Sequence, residues 1–321
     1  MLEPIKLKGC YKNYIWGGNR LAQNFHKEKG MGTIAESWEL SAHQDGYSRI
    51  ESGEYQGENL VEYLNAIGKK ALGLKNQNQE QLPILIKLID AKEALSIQVH
   101  PDDAYAWKHE HDNGKTEMWV ILDHEPGAFL YYGVNQEITK EELKQRIENH
   151  TLTEVLCKVP VHKGDVFFIE AGMIHAIGAG IVLCEIQQTS NVTYRIYDYG
   201  RKDAQGKERP LHVQQAMEVA CLKPKPCNVL PETILMDTEE LSIALLRSCR
   251  YFSTYEYQIK HKVEFHVSKE SFCSVIVTQG SAVLSYDDTL LHLEKGETAF
   301  VPAQDHILKM EGDCTFLVVT L

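Results

Sequence analysis

Short apolar runs separated by turn residues recur along this chain, and they constrain its fold more than any other feature. Between Ser274 and Leu321, turn signals at "QG", "YDD", "EKG" and "EGD" divide the apolar runs at intervals of roughly 8 to 12 residues. The stretch from Lys158 to Tyr199 is similar, with "VFFIEAG", "IVLCEIQQ" and "TYRIYDYG" as predicted strands. This spacing predicts a β-sandwich or barrel rather than a helical or alternating α/β fold.

A faint internal repeat extends this prediction to both halves of the chain. "KGDVFFIEAGMIH" (163–175) and "KGETAFVPAQDHI" (295–307) share a Lys-Gly start, an apolar run and a turn. We therefore expect a mainly β protein with two jelly-roll β-sandwich domains. The second copy has Ile307 where the first has His175, so we expect the C-terminal jelly roll to bind no metal.

Helices are predicted only as insertions between strands. The run 59–73 repeats leucine and other apolar residues at helical spacing, and Thr139 with Glu142 forms a capping box. The proline-rich stretch "CLKPKPCNVLPET" separates the two β-rich halves. It is interpreted as a domain boundary or as a strap that crosses between the halves. The predicted domains are a catalytic domain with helical insertions over 1–225 and a jelly roll over 226–321.

Composition and charge exclude several functional classes. A formal net charge of −12 argues against binding to nucleic acid, which requires basic surfaces. No apolar run approaches the roughly 20 residues that span a bilayer, and the N-terminus lacks the apolar core of a signal peptide. The eight cysteines show no C-x-x-C spacing, so neither a disulfide framework nor a zinc ribbon is indicated. We expect a reduced, cytoplasmic protein; the oligomeric state stays open.

The stretch "SIQVHPDD" (96–103) places metal-ligand atoms on a predicted strand. Gln98 and His100 are two positions apart and point to the same face, and Pro101 then ends the strand because it has no N–H. Glu117 in "KTEMWVIL" and His175 in "EAGMIH" offer further ligand atoms. Two imidazoles and one carboxylate are typical of a catalytic zinc with an open position, and Gln98 is a possible fourth ligand.

Charged and polar side chains surround these candidates in the sequence: Lys87, Ser96, Lys115, Glu185 and Arg195. Each cation also has an ordinary structural explanation. Lys87 could extend from an apolar strand, Lys115 could lie on the surface, and Arg195 could pair with Asp198. Glu185 lies in the apolar run "VLCEIQQ", where a carboxylate is rarely buried without a partner.

Several motifs occur in an order that resembles a known family. "YIWGGNRLA", "SIQVHPDD", "GKTEMWVIL" and the stretch 164–201 resemble the type I mannose-6-phosphate isomerases in their short bacterial form, members of the cupin superfamily. The resemblance runs from about Tyr14 to Arg201, and the C-terminal part matches only as a second cupin-like domain. Two residues depart from the cupin pattern: Glu170 stands where proline is usual, and Gln98 replaces the first histidine of His-x-His.

The resemblance implies a fold, a reaction and a set of roles. The fold would be two cupin-like jelly rolls with a few inserted helices. The reaction would interconvert D-mannose 6-phosphate and D-fructose 6-phosphate by zinc-assisted proton transfer through an enediol. One Zn²⁺ per chain would be bound by His100, Glu117 and His175. The implied site around a hexose 6-phosphate has Arg195, Lys115 and Glu185 in catalysis and Lys87, Ser96 and Gln98 in substrate binding.

Other functions and several bases stay open at this point. The base could be Glu185, a hydroxide on the metal, or Lys87 or Lys115 with a lowered pKa. The alternatives to this activity are a non-catalytic sugar- or metal-binding cupin, another cupin hexose-phosphate isomerase, and an oxygenase. The Gln-x-His pair makes an iron oxygenase the weakest of these, because an amide is a poorer donor than an imidazole.

Overall fold

The computed structural model describes residues 2–27, 32–77, 79, 81–202, 205–227, 229–230 and 232–321. It contains two compact units. The first comprises the described parts of residues 1–12, 19–88 and 231–321, and the second comprises those of residues 13–18 and 89–230. One of the points at which the chain passes from one unit to the other, residues 88–89, lies within the strand Ile84–Ala91.

Strands dominate both units. The strands up to the middle of the chain are β1 Ile5–Lys8, β2 Cys10–Lys12, β3 Glu36–Leu40, β4 Ala42–His43, β5 Gly46–Tyr47, β6 Arg49–Ile50, β7 Ile84–Ala91, β8 Ile97–Val99, β9 Glu117–His124, β10 Phe129–Val134 and β11 Leu156–Pro160. They continue with β12 Val166–Ile169, β13 His175–Ile177, β14 Ile181–Gln188, β15 Tyr194–Tyr197, β16 Thr233–Asp237, β17 Leu241–Ser248, β18 Ser253–Ile259, β19 Lys262–Val267, β20 Cys273–Tyr286, β21 Thr289–Glu294, β22 Thr298–Val301 and β23 His306–Thr320.

The helices are short. They are α1 Arg20–Asn24, α2 Leu60–Ile67, α3 Asp103–His109, α4 Lys140–Glu148 and α5 Val213–Val219, with 3₁₀ turns at Lys69–Leu72, Leu74–Asn76 and Leu152–Val155. The predicted cap at Thr139 is present, since its side chain accepts a hydrogen bond from the backbone N–H of Glu142. The longest described helix, α4, has nine residues, and no described helix has the length and apolar character needed to cross a membrane.

The first unit is built around a ten-stranded antiparallel sheet. Its main path runs β16-β17-β18-β23-β20-β22-β1-β6, while β19 pairs with β23 and β21 pairs with β20. Strand β1, from the N-terminus, is inserted between β22 and β6. Large apolar side chains fill its interior, among them Phe272, Phe300 and Phe316, all fully buried. Burial of these and the other apolar side chains of the unit stabilises its fold.

The second unit contains two sheets. One has five strands in the order β11-β10-β13-β8-β15, and the other includes the antiparallel run β12-β9-β14. An apolar cluster packs residues of β8, β13 and β15 against α4 and α5. The helical insertions therefore cover one face of the five-stranded sheet and leave the other face to the interior of the unit.

The predicted mainly β fold with few helices is confirmed. The domain division at 225–226 stays a prediction. The two compact units have other bounds, because β1 pairs with β22 and so brings N-terminal residues beside C-terminal strands. One cysteine pair was not predicted. A disulfide in the second unit joins Cys157 to Cys227, which lie 70 positions apart in the sequence. A pair so far apart has no local spacing motif from which it could be predicted.

Candidate active site and metal centre

A row of polar side chains crosses the five-stranded sheet of the second unit. His175 on β13 is the direct cross-strand partner of Gln98 on β8, and Gln98 is the partner of Arg195 on β15. Side chains directly opposite one another on neighbouring strands point to the same face. These three residues, which were predicted as site residues from three separate segments of the sequence, therefore line one face of the sheet.

Strand alternation explains why these residues point inward. Ile97 and Val99 flank Gln98 and belong to the apolar cluster beneath α4 and α5. Ile174 and Ala176 flank His175 in the same way, and so do Tyr194 and Ile196 for Arg195. Because successive side chains on a strand alternate between faces, burying these apolar neighbours on the outer face turns the polar residue inward.

Three side chains converge as a candidate metal centre. One ligand atom from each of His100, Glu117 and His175 lies within 4.8 Å of the others. Glu117 Oε2 is 3.7 Å from His100 Nε2, and Glu117 Oε1 is 3.4 Å from His175 Nε2. All three side chains are almost completely buried. The side-chain amide of Gln98 lies 3.4 Å from His175 Nε2, so it borders this group.

The two imidazoles are oriented as metal ligands. Nδ1 of His100 lies 2.9 Å from the carbonyl of Val192, and Nδ1 of His175 lies 2.8 Å from the carbonyl of Met173. Each Nδ1 can therefore donate its proton to a carbonyl, which leaves the Nε2 lone pair directed at the carboxylate of Glu117. Burial lowers the pKa of His175 to about 4, so this imidazole is neutral near pH 7. Two imidazoles and one carboxylate suit zinc.

Lys115 and Glu185 lie beside the candidate metal centre. Lys115 Nζ is 2.9 Å from Glu117 Oε2, 3.4 Å from His100 Nε2 and 3.9 Å from Glu185 Oε1. Both side chains are at least 96% buried. Lys115 is therefore an internal residue, which removes the alternative that it lies on the surface. The partner that a buried Glu185 requires is Trp119, whose indole N–H donates to Glu185 Oε2 at 2.9 Å.

Arg195 is held by neutral groups. Its Nε donates to Ser96 Oγ at 3.3 Å, and its Nη1 donates to the carbonyl of Pro210 at 3.1 Å. The backbone N–H of Arg195 donates to Nδ1 of His212, while the backbone N–H of His212 donates to the carbonyl of Arg195. Burial lowers the pKa of Arg195, and the nearby charge of Arg209 lowers it further.

The expected alternative partner of Arg195, Asp198, bonds two other arginines. Its carboxylate accepts hydrogen bonds from Arg209 Nε at 2.7 Å and from Arg201 Nε at 3.1 Å. Burial alone would raise the pKa of Asp198, but the bonds from Arg209 and Arg201 outweigh it and hold that pKa below its ordinary value. Sequence reasoning missed Arg201 and Arg209 as members of this group. The charge of Arg201 beside "YDYG" was visible, whereas Arg209 is brought in by a loop.

Lys87 lies in the first compact unit. It is 96% buried on β7, and its Nζ is 3.8 Å from Glu36 Oε2 and 5.0 Å from the centre of the Trp38 ring. Trp38 Nε1 in turn donates to Glu36 Oε2 at 2.6 Å. Lys87 therefore has a carboxylate and an aromatic face as neighbours. Neither Glu36 nor Trp38 was predicted from the sequence to be a neighbour of Lys87.

Two family models match this chain. "Phosphomannose isomerase type I, catalytic domain" matches residues 5–131, and "Mannose-6-phosphate isomerase, cupin domain" matches residues 242–321. The second match identifies the C-terminal β-rich segment as similar to a cupin domain, in agreement with the internal repeat.

Relatives match over nearly the whole chain. Mannose-6-phosphate isomerase of Streptococcus mutans is 37% identical over 98% of this chain and 96% of its own length. Mannose-6-phosphate isomerase ManA of Bacillus subtilis is also 37% identical, over 97% of this chain and 96% of its own. The crystal structure of mannose 6-phosphate isomerase from B. subtilis has a TM-score of 0.91, 33% identity and full coverage of both chains. A mannose 6-phosphate isomerase bound with zinc and yttrium shares the fold, with a TM-score of 0.77, 18% identity and 99% coverage of each chain. The resemblance predicted from the motifs is confirmed.

Proposed function

Since this chain belongs to the type I mannose-6-phosphate isomerase family, we propose that it interconverts D-mannose 6-phosphate and D-fructose 6-phosphate with one zinc ion bound by His100, Glu117 and His175. The convergence of those three buried ligands carries the proposal. When bound, zinc would polarise the oxygens on C1 and C2 of the sugar and so stabilise the enediolate. The donor set also suits a metal that does no redox chemistry.

Proton transfer is assigned to Glu185. The reaction moves a proton between C2 and C1 of the open-chain sugar, so one base must take and return it on the same face of an enediol. A buried carboxylate close to the metal ligands is suited to this role, and Glu185 is 3% exposed. Its neighbour Lys115 supplies a fixed ammonium charge between Glu185 and Glu117, which stabilises the negative charge that develops on the sugar oxygens.

The arginines supply the remaining charge. Arg195 is assigned to the enediolate. Arg201 and Arg209 carry two positive charges on the one carboxylate of Asp198, so positive charge exceeds negative by one in this pair of ion pairs. Such an excess suits a phosphate dianion, which guanidinium groups bind through paired hydrogen bonds. Ser96 and Gln98, on the same segment as His100, supply hydroxyl and amide groups for the sugar. The assignment of Lys87 to substrate binding stays a prediction.

A coupled assay on protein of measured zinc content tests this function. Purified full-length protein should convert D-mannose 6-phosphate to D-fructose 6-phosphate, and the rate with D-glucose 6-phosphate should be far lower. Equal turnover of glucose 6-phosphate would favour another cupin hexose-phosphate isomerase. Saturable binding of mannose 6-phosphate with no turnover by zinc-loaded protein would make the chain a sugar-binding cupin.

A further inference from the structure

The indole of Trp119 contacts two groups of the candidate active site. Trp119 lies two positions after Glu117 on β9, on the same strand face, and its cross-strand partner on β14 is Glu185. Its N–H donates to Glu185 Oε2 at 2.9 Å. Its ring lies edge-on to the ring of His175, with centres 5.4 Å apart and planes at 72°. One fully buried side chain therefore touches both a proposed base and a proposed metal ligand.

This hydrogen bond distinguishes the two oxygens of Glu185. Oε2 accepts the indole proton, while Oε1 lies on the side of Lys115, 3.9 Å from its Nζ. The terminal torsion of a glutamate is soft, so without a directional donor the carboxylate would rotate among several orientations. The bond from a rigid, fully buried indole removes that freedom. It also leaves Oε1 as the oxygen nearer the ammonium group.

We propose that Trp119 is a positioning residue for the isomerisation: it fixes the carboxylate of Glu185 so that Oε1 exchanges the proton with the substrate. This inference rests on the proposed function and on the role assigned to Glu185. In the forward direction the C2–H bond breaks and its proton passes to Oε1, while its electron pair forms C1=C2 and the C1=O π pair moves onto O1, which gives an enediolate. A proton then moves from the C2 hydroxyl to O1, and the electron pair left on O2 forms the C2 carbonyl as the C1=C2 pair takes up a proton at C1. The proton returns from Oε1 to C1 in the second half of the reaction. Trp119 donates to Oε2 throughout and exchanges no proton.

The direct test compares zinc-loaded wild type with Trp119→Phe. Phenylalanine keeps an aromatic ring beside His175 but deletes the N–H. We expect the variant to retain one zinc per chain, with KM within about twofold of wild type, because ground-state sugar contacts are unchanged. The value of kcat should fall by about 10- to 100-fold, the range implied by loss of a hydrogen bond to a charged group. The isotope effect on kcat with substrate deuterated at C2 should increase, because proton transfer becomes more strongly rate-limiting.

A double-mutant cycle separates positioning from a general effect on folding. In a Glu185→Gln background, Trp119→Phe should cause little further loss of kcat, since the group it positions is already gone. Ser274→Ala provides the control. It removes a fully buried hydroxyl that donates to the carbonyl of Ala299 in the other compact unit, and it should leave kcat and the isotope effect unchanged.

Three results would overturn the role of Trp119. The first is wild-type kcat and isotope effect in Trp119→Phe, and the second is an equal loss of kcat in both backgrounds. The third is a loss of bound zinc in proportion to the loss of activity, which would show that the substitution acts on the metal ligand His175 and not on Glu185. If Trp119→Phe fails to fold, the indole ¹H–¹⁵N resonance of Trp119 in folded Glu185→Leu decides, because this substitution removes the acceptor and an unchanged shift would exclude the hydrogen bond. An inactive zinc-loaded wild type would instead reject the proposed function itself.

Discussion

Replacing Arg195 with alanine should reduce kcat much more than it raises KM. Arg195 is the cross-strand partner of Gln98, which is the partner of His175, so its Cα lies two strands, about 10 Å, from that of His175. Its long side chain is directed by Ser96 and the carbonyl of Pro210, both neutral. Its charge is therefore available to an anion that forms near the metal ligands.

The size of the effect follows from Coulomb's law. For a separation of about 5 Å and an effective dielectric constant near 20, a unit positive charge stabilises a unit negative charge by about 3 kcal/mol. A loss of about 2.7 kcal/mol from the transition state corresponds to about 10²-fold in kcat, which is also the scale of removing one oxyanion donor. Arg195→Lys should recover only part of the loss, because an ammonium lacks the planar fork that binds two oxygens.

Steady-state kinetics with D-mannose 6-phosphate, with zinc content measured on each sample, decides this prediction. Wild-type kcat in Arg195→Ala would remove Arg195 from the mechanism. A raised KM with unchanged kcat would restrict it to holding the phosphate in the ground state. Loss of zinc in the variant would show that the substitution had disturbed the metal ligands instead.

Three further predictions concern stability and metal content. Asp198 has a depressed pKa, so its contribution to stability is present above its ordinary pKa of 3.8 and is lost as the pH falls through the folded value. Urea unfolding between about pH 5 and pH 3 should therefore show a steeper loss of stability in wild type than in Asp198→Asn, and equal slopes would contradict this. Phe316→Ala should cost about 3–5 kcal/mol in the free energy of unfolding because Phe316 is fully buried. Ile307→Ala, at a side chain that is 60% exposed, should change it by less than about 0.5 kcal/mol, and similar costs for the two would be inconsistent with their burial. Native mass spectrometry should find one zinc per chain, and a second zinc bound near His306 would contradict the expectation of a metal-free C-terminal jelly roll.

For candidate site residues on strands, the sequence predicted the face of the sheet that the side chain occupies, because that face follows from strand alternation. The pattern Ile97-Gln98-Val99-His100 has ligand atoms at every second position, and the structure places its apolar members in the cluster beneath the helices. Glu185 was recognised for a related reason, since a carboxylate in an apolar strand requires a partner. Local periodicity determines which face of the sheet a side chain occupies, and for these residues the face was the property to be predicted.

Contacts that depend on register or on loops were not predictable in this way. The identity of the partner of Glu185 depends on which residue of β9 lies opposite it, and one residue of slippage would have removed Trp119 from the site. Arg209 reaches Asp198 through a loop, and Cys227 reaches Cys157 across 70 positions. Contacts of this kind depend on the tertiary packing of the whole unit, and a short stretch of sequence does not determine that packing.

We propose that His100, Glu117 and His175 bind the metal on which mannose 6-phosphate isomerisation depends. The most direct measurement is the isomerisation rate of metal-stripped protein during titration with zinc, with bound zinc measured at each point. We expect negligible activity without metal, a linear rise that ends at one zinc per chain, and no recovery in His100→Ala at the same zinc concentration. Full activity in protein shown to be free of metal would contradict it.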